Sequence, residues 1–142
     1  MHMQGDPQTM QQQPRYEQVV EEVAAYLAAQ VDRAVAAGVR REAILIDPGI
    51  GFGKSLAHNL ALLQGLPRLK EIVGRPILLG LSRKSFLSAV LGRALNRDQR
   101  DVASHTLHAL LAPHVAVLRC HDVAGARAAL ALAQAVGHGL ML

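Results

Sequence analysis

The chain has 142 residues, of which 51% are hydrophobic and 18% charged, with a formal net charge of +4. That composition excludes whole-chain disorder, and the length excludes a complete eight-stranded (β/α) barrel, which takes about 250 residues. No apolar run approaches the roughly 20 residues of a membrane span, and the scattered Arg and Lys, with two Tyr and two Phe, form no basic and aromatic block for nucleic acid.

Residues 1–5 form a short stub with no charged and apolar leader behind it. A polar loop follows to Pro14, with Gly5, Pro7 and Pro14 as breakers. Residues 16–37 have helical apolar spacing at Val19, Val20, Val23, Tyr26, Leu27, Val31 and Val35, and Gly38 supplies the stop. Residues 43–46 are short and continuously apolar, as in a parallel strand buried on both faces. Residues 56–73 read as helix through Leu60, Leu63, Leu66 and Leu69, kinked or split at Pro67. Residues 76–79 form the next strand. A helix opens over 86–91, is interrupted by the polar segment 96–101, and resumes over 102–111. Residues 115–118 are the last strand, 124–136 the last helix, and 137–142 a frayed tail. Strands alternating with helices of this length imply a parallel α/β sheet with right-handed crossovers. Nothing marks a linker, so residues 1–142 form a single domain.

The conspicuous polar residues follow the apolar runs directly. They are Asp47-Pro48-Gly49-Ile50-Gly51-Phe52-Gly53-Lys54, then Gly80-Leu81-Ser82-Arg83-Lys84-Ser85, then Arg119-Cys120-His121-Asp122. In parallel α/β folds the C-terminal ends of the strands share one side, and that side carries sites. The glycine-rich turn fits neither the P-loop nor the dinucleotide spacing. It is either a tight connection needing positive φ or a cradle of backbone N–H groups. Asp47 suits the amidine edge of a planar heterocycle, or a cap or buried ion pair. Lys84 and the helix start beside it suit an anion, or a solvated loop. Arg119 and His121 alternate at a strand end and so face one side. Arg119 suits phosphate oxygens, and His121 is either a ligand or a hydrogen-bonded structural imidazole. His105 and His108, three apart on a helix, lack a third metal ligand, and His2, His58, His114 and His138 carry no separate signal. Cys120 is the one cysteine, which excludes an intrachain disulfide and points to a reducing cytoplasm.

These motifs, with residues 1–5 and His58-Asn59, resemble the C-terminal half of dihydropteroate synthase, over residues 1 to about 135. The resemblance implies a partial (β/α)8 TIM barrel, about its last four βα units, from the end of strand five to helix eight. It implies a transferase of folate biosynthesis that joins 4-aminobenzoate to 6-hydroxymethyl-7,8-dihydropterin diphosphate and releases diphosphate with Mg2+. Lys84, Arg119 and His121 would be catalytic. Asp47, Lys84, Arg119, Gly80 and Met1 would bind the pterin, and Gly51, Phe52 and Ser85 the aminobenzoate. Arg119 and His121 would hold the diphosphate. The protein ligand of Mg2+ would lie in the family's N-terminal half, not among these residues. The family's first four strands and most of the fifth have no counterpart here, so the chain is expected to be catalytically incomplete alone. Pro113-His114 and Cys120 depart from the family's usual small and aliphatic residues there.

The same resemblance implies a homodimer through the C-terminal helices, or pairing with an N-terminal half. A half-barrel leaves an apolar sheet face and open parallel edges. A pterin-binding methyltransferase-type domain and a non-catalytic assembly module are the alternative functions. The Ser82-Arg83-Lys84-Ser85 turn and the Arg119 and His121 pair favour the synthase.

Overall fold

The computed structural model describes residues 1–6 and 8–137. The helices are α1 (Val19–Ala36), α2 (Leu56–Gln64), α3 (Leu66–Val73), α4 (Phe86–Val90), α5 (Arg97–Leu111) and α6 (Val123–Gly137). Two short strands, β1 (Leu78–Leu79) and β2 (Val117–Leu118), pair in parallel, with Leu78 opposite Val117 and Leu79 opposite Leu118. Pro7 and the rest of the expected tail, residues 138–142, lie outside the described residues.

The expected strand over 43–46 is reduced to one parallel bridge, between Ile46 and Ile77. Arg41–Ala43 winds instead into a 3-10 turn, so its backbone turns before the ladder begins. The Ile46 N–H donates to the Pro76 carbonyl, and the Leu78 N–H to the Ile46 carbonyl. The His2 N–H donates to the Asp47 carbonyl at 3.0 Å. The strips therefore run side by side in the order 1–3, 46–47, β1, β2.

Two boundaries differ from the apolar pattern for local reasons. α1 starts at Val19 rather than 16, because the Glu22 carboxylate accepts the N–H groups of Glu17 and Gln18, both at 2.8 Å. These contacts hold the two residues outside the helix. The polar segment 96–101 does not interrupt a helix but opens one. The Asn96 side chain accepts the Gln99 N–H at 2.9 Å, while Gln99 accepts the Asn96 N–H at 3.1 Å. This reciprocal cap satisfies two free donors of the first turn. The break expected near Pro67 falls at Gly65, where a methyl would sit 2.6 Å from a Val20 methyl of α1. Pro67 occupies the first turn of α3, where a missing N–H costs nothing.

The helices cover one face of the sheet. Ile46, Ile77 and Leu79 are buried against a core that includes Val23 and Leu27 of α1, Leu62 of α2 and Leu69 of α3. Each such side chain contributes about 2 kcal/mol by leaving water. Strand alternation sends Leu45, Leu78 and Val117 to the opposite face. There Leu45 and Val117 are 46% and 38% exposed. α6 packs on α5 but buries only Ala126, leaving Val123, Leu132 and Val136 in solvent.

Candidate functional site

The turn from Asp47 to Lys54 is held from four sides. The Asp47 carboxylate accepts the Gly49 N–H at 2.7 Å through Oδ1, an Asx turn of the kind short polar side chains favour. Its Oδ2 has no hydrogen-bond donor among the described residues and is available to a ligand. Asn59 is 2% exposed and accepts the Gly51 N–H at 2.7 Å, while its amide donates to the Ser55 carbonyl at 2.8 Å. The Tyr16 hydroxyl donates to the Gly53 carbonyl at 3.0 Å, and the Gln11 amide to the Gly51 carbonyl at 2.6 Å.

Beneath the turn lies Lys54, 3% exposed. Its ammonium donates to the carbonyls of Gly49 and Phe52 and lies against His2 Nδ1, each at 3.0 Å. Burial pushes Lys54 down to about 8, Asp47 opposes that shift, and Lys84 adds to it. His2, between Tyr16 and Tyr26, is pushed down to about 4 by burial and then by Lys54. A neutral imidazole is thus the acceptor that a buried ammonium needs.

Lys84 reaches the same turn from the other side. Its ammonium bonds the Ile50 carbonyl and lies 4.2 Å from the centroid of the Phe52 ring, a cation–π contact. A methyl on Gly51 would sit 3.2 Å from Lys84 Cδ, so the glycine leaves the stem its path. Burial lowers Lys84 to about 8, Asp47 opposes the shift, and Arg119 deepens it. The charges of Asp47 and Arg119 therefore both act on Lys84, which joins the ends of three successive strips. Gly80 is buried, and a methyl there would sit 2.7 Å from an Arg119 guanidinium nitrogen. The guanidinium lies over the β1 end because that residue has no side chain.

The turn that carries Lys84 is locked from α5. Arg83, at φ 60°, holds Asp101 through two bonds of 2.7 Å. Its N–H donates to Ser104 Oγ at 3.0 Å, and its carbonyl accepts Arg100 at 3.1 Å. The Asp101 bond holds the guanidinium above its ordinary range, and the reverse contact holds Asp101 below the usual carboxylate range. His121 is exposed but anchored, with Ser82 Oγ 3.3 Å from its backbone N and 3.0 Å from Nδ1.

The structure thus gathers Asp47, Gly51, Phe52, Gly80, Lys84 and Arg119. It places His121 just beyond Arg119 and Met1 beside Asp47, through the His2 bond. Ser85, the residue after Lys84, is exposed at the start of α4 and makes no cap bond there. Four supporting residues escaped the sequence reading: Lys54, His2, Asn59 and Ser82. All four stood inside the recognised motifs, but the partners of His2 and Ser82 are read only once distant strips meet. His58 caps α2 with Ser55. His105 lies 3.5 Å from an Asp122 oxygen. His108 is fully buried with neither ring nitrogen bonded among the described residues, and is lowered by burial and His105.

Because Asn59 serves a buried network, Asn59→Leu is expected to lose about 2 kcal/mol by orphaning the Gly51 N–H and the Ser55 carbonyl. Urea midpoints of the two chains check this. An unchanged midpoint would mean that water replaces the amide.

The profile of pterin binding enzymes matches residues 1–121. The chain belongs to the pterin binding enzyme family. It is 47% identical over 126 residues to the dihydropteroate synthase of Haemophilus influenzae, covering 87% of this chain and 44% of that protein. The Yersinia pestis dihydropteroate synthase, solved as a sulfonamide drug complex, superposes with a TM-score of 0.88 at 35% identity. That match covers 96% of this chain and 49% of the other. The Xanthomonas albilineans enzyme, solved in complex with 7,8-dihydropteroate, matches at 46% identity and a TM-score of 0.82, over 89% of this chain and 48% of that one. The same enzyme has also been solved with 4-aminobenzoic acid. These likenesses establish a partial barrel-type α/β fold. The chain spans about half the length of the curated relatives it matches. Among the described residues, no helix is long and apolar enough to cross a membrane.

Proposed function

We propose that the chain supplies the C-terminal half of a dihydropteroate synthase, with residues 1–142 as one unit of a pterin-binding barrel. The observation that carries this reading is the meeting of one free carboxylate oxygen with two cations at the ends of adjacent strips. Asp47 Oδ2 would accept the amino-pyrimidine edge of the pterin. Arg119, lying over Gly80, would flank the ring, with Met1 beside Asp47. Gly51, Phe52 and Ser85 would line the 4-aminobenzoate side. Arg119 and His121 would take the diphosphate.

In the reaction the aminobenzoate nitrogen forms a bond to the pterin methylene carbon. The C–O bond breaks, its electron pair leaves with diphosphate, and the amine gives up a proton. Negative charge grows on the leaving oxygen, so cations fixed beforehand beside it favour the transition state over the ground state. Lys84 is suited to the amine side, because burial brings its proton affinity near neutrality.

Magnesium comes with this reaction class. Among the described residues, no group of three or more His, Cys, Asp and Glu is gathered to hold a metal ion. The reading leaves the protein ligand of that ion to the N-terminal half. The reading also places the chain in the cytoplasm, consistent with an unpaired Cys120. It has the chain working beside an N-terminal half or as a dimer through its last helices, which would cover Leu45, Val117 and the outer face of α6.

Diphosphate release from 6-hydroxymethyl-7,8-dihydropterin diphosphate and 4-aminobenzoate tests the reading, with and without an added N-terminal half. Turnover is expected only with both halves. Gly80→Ala should weaken pterin diphosphate binding roughly tenfold, since the new methyl drives the guanidinium from its seat. Turnover by this chain alone, or full affinity in Gly80→Ala, would overturn it.

A further inference from the structure

His121 is exposed, yet its ring is not free to choose its tautomer. Ser82 is 9% exposed, sits at the end of the β1 strip, and contacts His121 at two atoms. The His121 backbone N–H can only donate, so Ser82 Oγ accepts it and uses one lone pair. The hydroxyl proton must then go elsewhere. Among the described residues, the one acceptor within its reach is His121 Nδ1, at 3.0 Å. If Nδ1 carried the ring proton instead, the Ser82 proton would be left without a partner beside a nearly buried oxygen, which is costly. In the neutral ring, therefore, Nδ1 accepts and the proton sits on Nε2. In the imidazolium, Nδ1–H turns to donate to Oγ and Nε2 keeps its proton. Both charge states leave Nε2 a donor.

We propose that Ser82 is a positioning residue that fixes His121 as an Nε2–H donor toward an oxyanion held beside Arg119. The identity of that oxyanion as diphosphate rests on the proposed function; the tautomer does not. A neutral imidazole with the opposite tautomer would aim a lone pair at the anion and repel it. The serine removes that state without needing a charged ring. The same hydroxyl ties His121, after β2, to the end of β1, so the donor direction is set by the parallel register of the two strips. The turn holding Ser82 is itself fixed by the contacts of Arg83 with Asp101, Ser104 and Arg100. The donor thus has three consecutive supports: α5, Ser82 and the ring.

The test is nitrogen-15 NMR of the histidine side chains in the full chain, with His121 assigned by comparison with His121→Gln. At about pH 8.5, where an ordinary imidazole is neutral, the unmodified chain is expected to show His121 with Nε2 protonated and Nδ1 bare. Ser82→Ala should shift the ring toward a mixture, and Ser82→Thr, which keeps the hydroxyl, should restore the single state. Inorganic diphosphate is the binding probe. Its affinity should fall roughly fivefold in Ser82→Ala, as for one lost hydrogen-bond support, and recover in Ser82→Thr. A dominant Nδ1–H ring in the unmodified chain would overturn the proposal even if Ser82→Ala does not fold. So would a Ser82→Ala chain with an unchanged ring. Absence of diphosphate binding with the Nε2–H ring present would count against the proposed function and leave the role of Ser82 standing.

Discussion

Gly49→Ala is expected to lose roughly 3 kcal/mol or more of stability, the largest fall of any glycine-to-alanine change among the described residues. Two costs combine there. The residue has φ 68°, a left-handed conformation that costs an ordinary residue about 1–2 kcal/mol. The added carbon would also lie 1.8 Å from the His2 carbonyl oxygen, a distance that no packing tolerates. The backbone must move, and it carries the His2 to Asp47 bond and the Lys54 bond to the Gly49 carbonyl. Gly74→Ala is the control. Its φ is 64°, and nothing lies within 4 Å of the added carbon, so it meets the conformational cost alone. The gap between the two urea midpoints measures the close approach of the first strip to the turn. Equal losses would mean that residues 1–3 do not lie against Asp47. With total stabilities of domains commonly about 5–15 kcal/mol, the Gly49 substitution is also expected to release residues 1–5 to proteolysis, while leaving the α1 and α3 packing in place.

What the sequence disclosed depended on how local the cause was. The alternation of helix and strip was legible because Val19, Val23, Leu27 and Val31 repeat at helical spacing and are all buried. The candidate residues Asp47, Lys84 and Arg119 could be picked out because each stands in a short turn directly after an apolar run. The strand over 43–46 was over-read. Apolar continuity fits a buried strand, but only Ile46 finds a neighbour, and Leu45 is left on the uncovered face. The helix over 97–111 was under-read because Arg97, Asp98 and Arg100 look like loop. Its start is set by a pair of amides whose reciprocal bond outweighs polarity. The partners of Ser82 and His2 could not be read from spacing. Each acts on a group far away in sequence, 39 residues for Ser82 and His121 and 52 for His2 and Lys54. Such pairs exist only once the strips are side by side.

Lys84→Met is expected to cut affinity for the pterin diphosphate by about 2 kcal/mol, roughly thirtyfold, when the N-terminal half is supplied. That is the scale of a hydrogen bond made by a charged group. The pH dependence gives the sharper signature. Burial lowers the ammonium to about 8, so its charge is present below that value and lost above it. Affinity of the unmodified chain should therefore fall as pH rises through about 8, and the fall should be smaller in Lys84→Met. Stability runs the other way. Between about 8 and the ordinary value of 10.5, the unfolded chain holds a proton at Lys84 that the folded chain has released. Raising the pH through that window consequently stabilises the fold. Lys54, also lowered to about 8, adds a second slope of the same sign, which Lys84→Met retains. The substitution should then remove part of the rise in urea midpoint between pH 7 and about pH 9.5, not all of it. A fold that tolerates a partly buried ammonium at neutral pH is held below its best stability there. Loss of binding together with a flatter stability curve would mark the charge as kept for the ligand. Affinity that stays level through pH 8 in the unmodified chain, or falls identically in both chains, would remove Lys84 from the binding machinery.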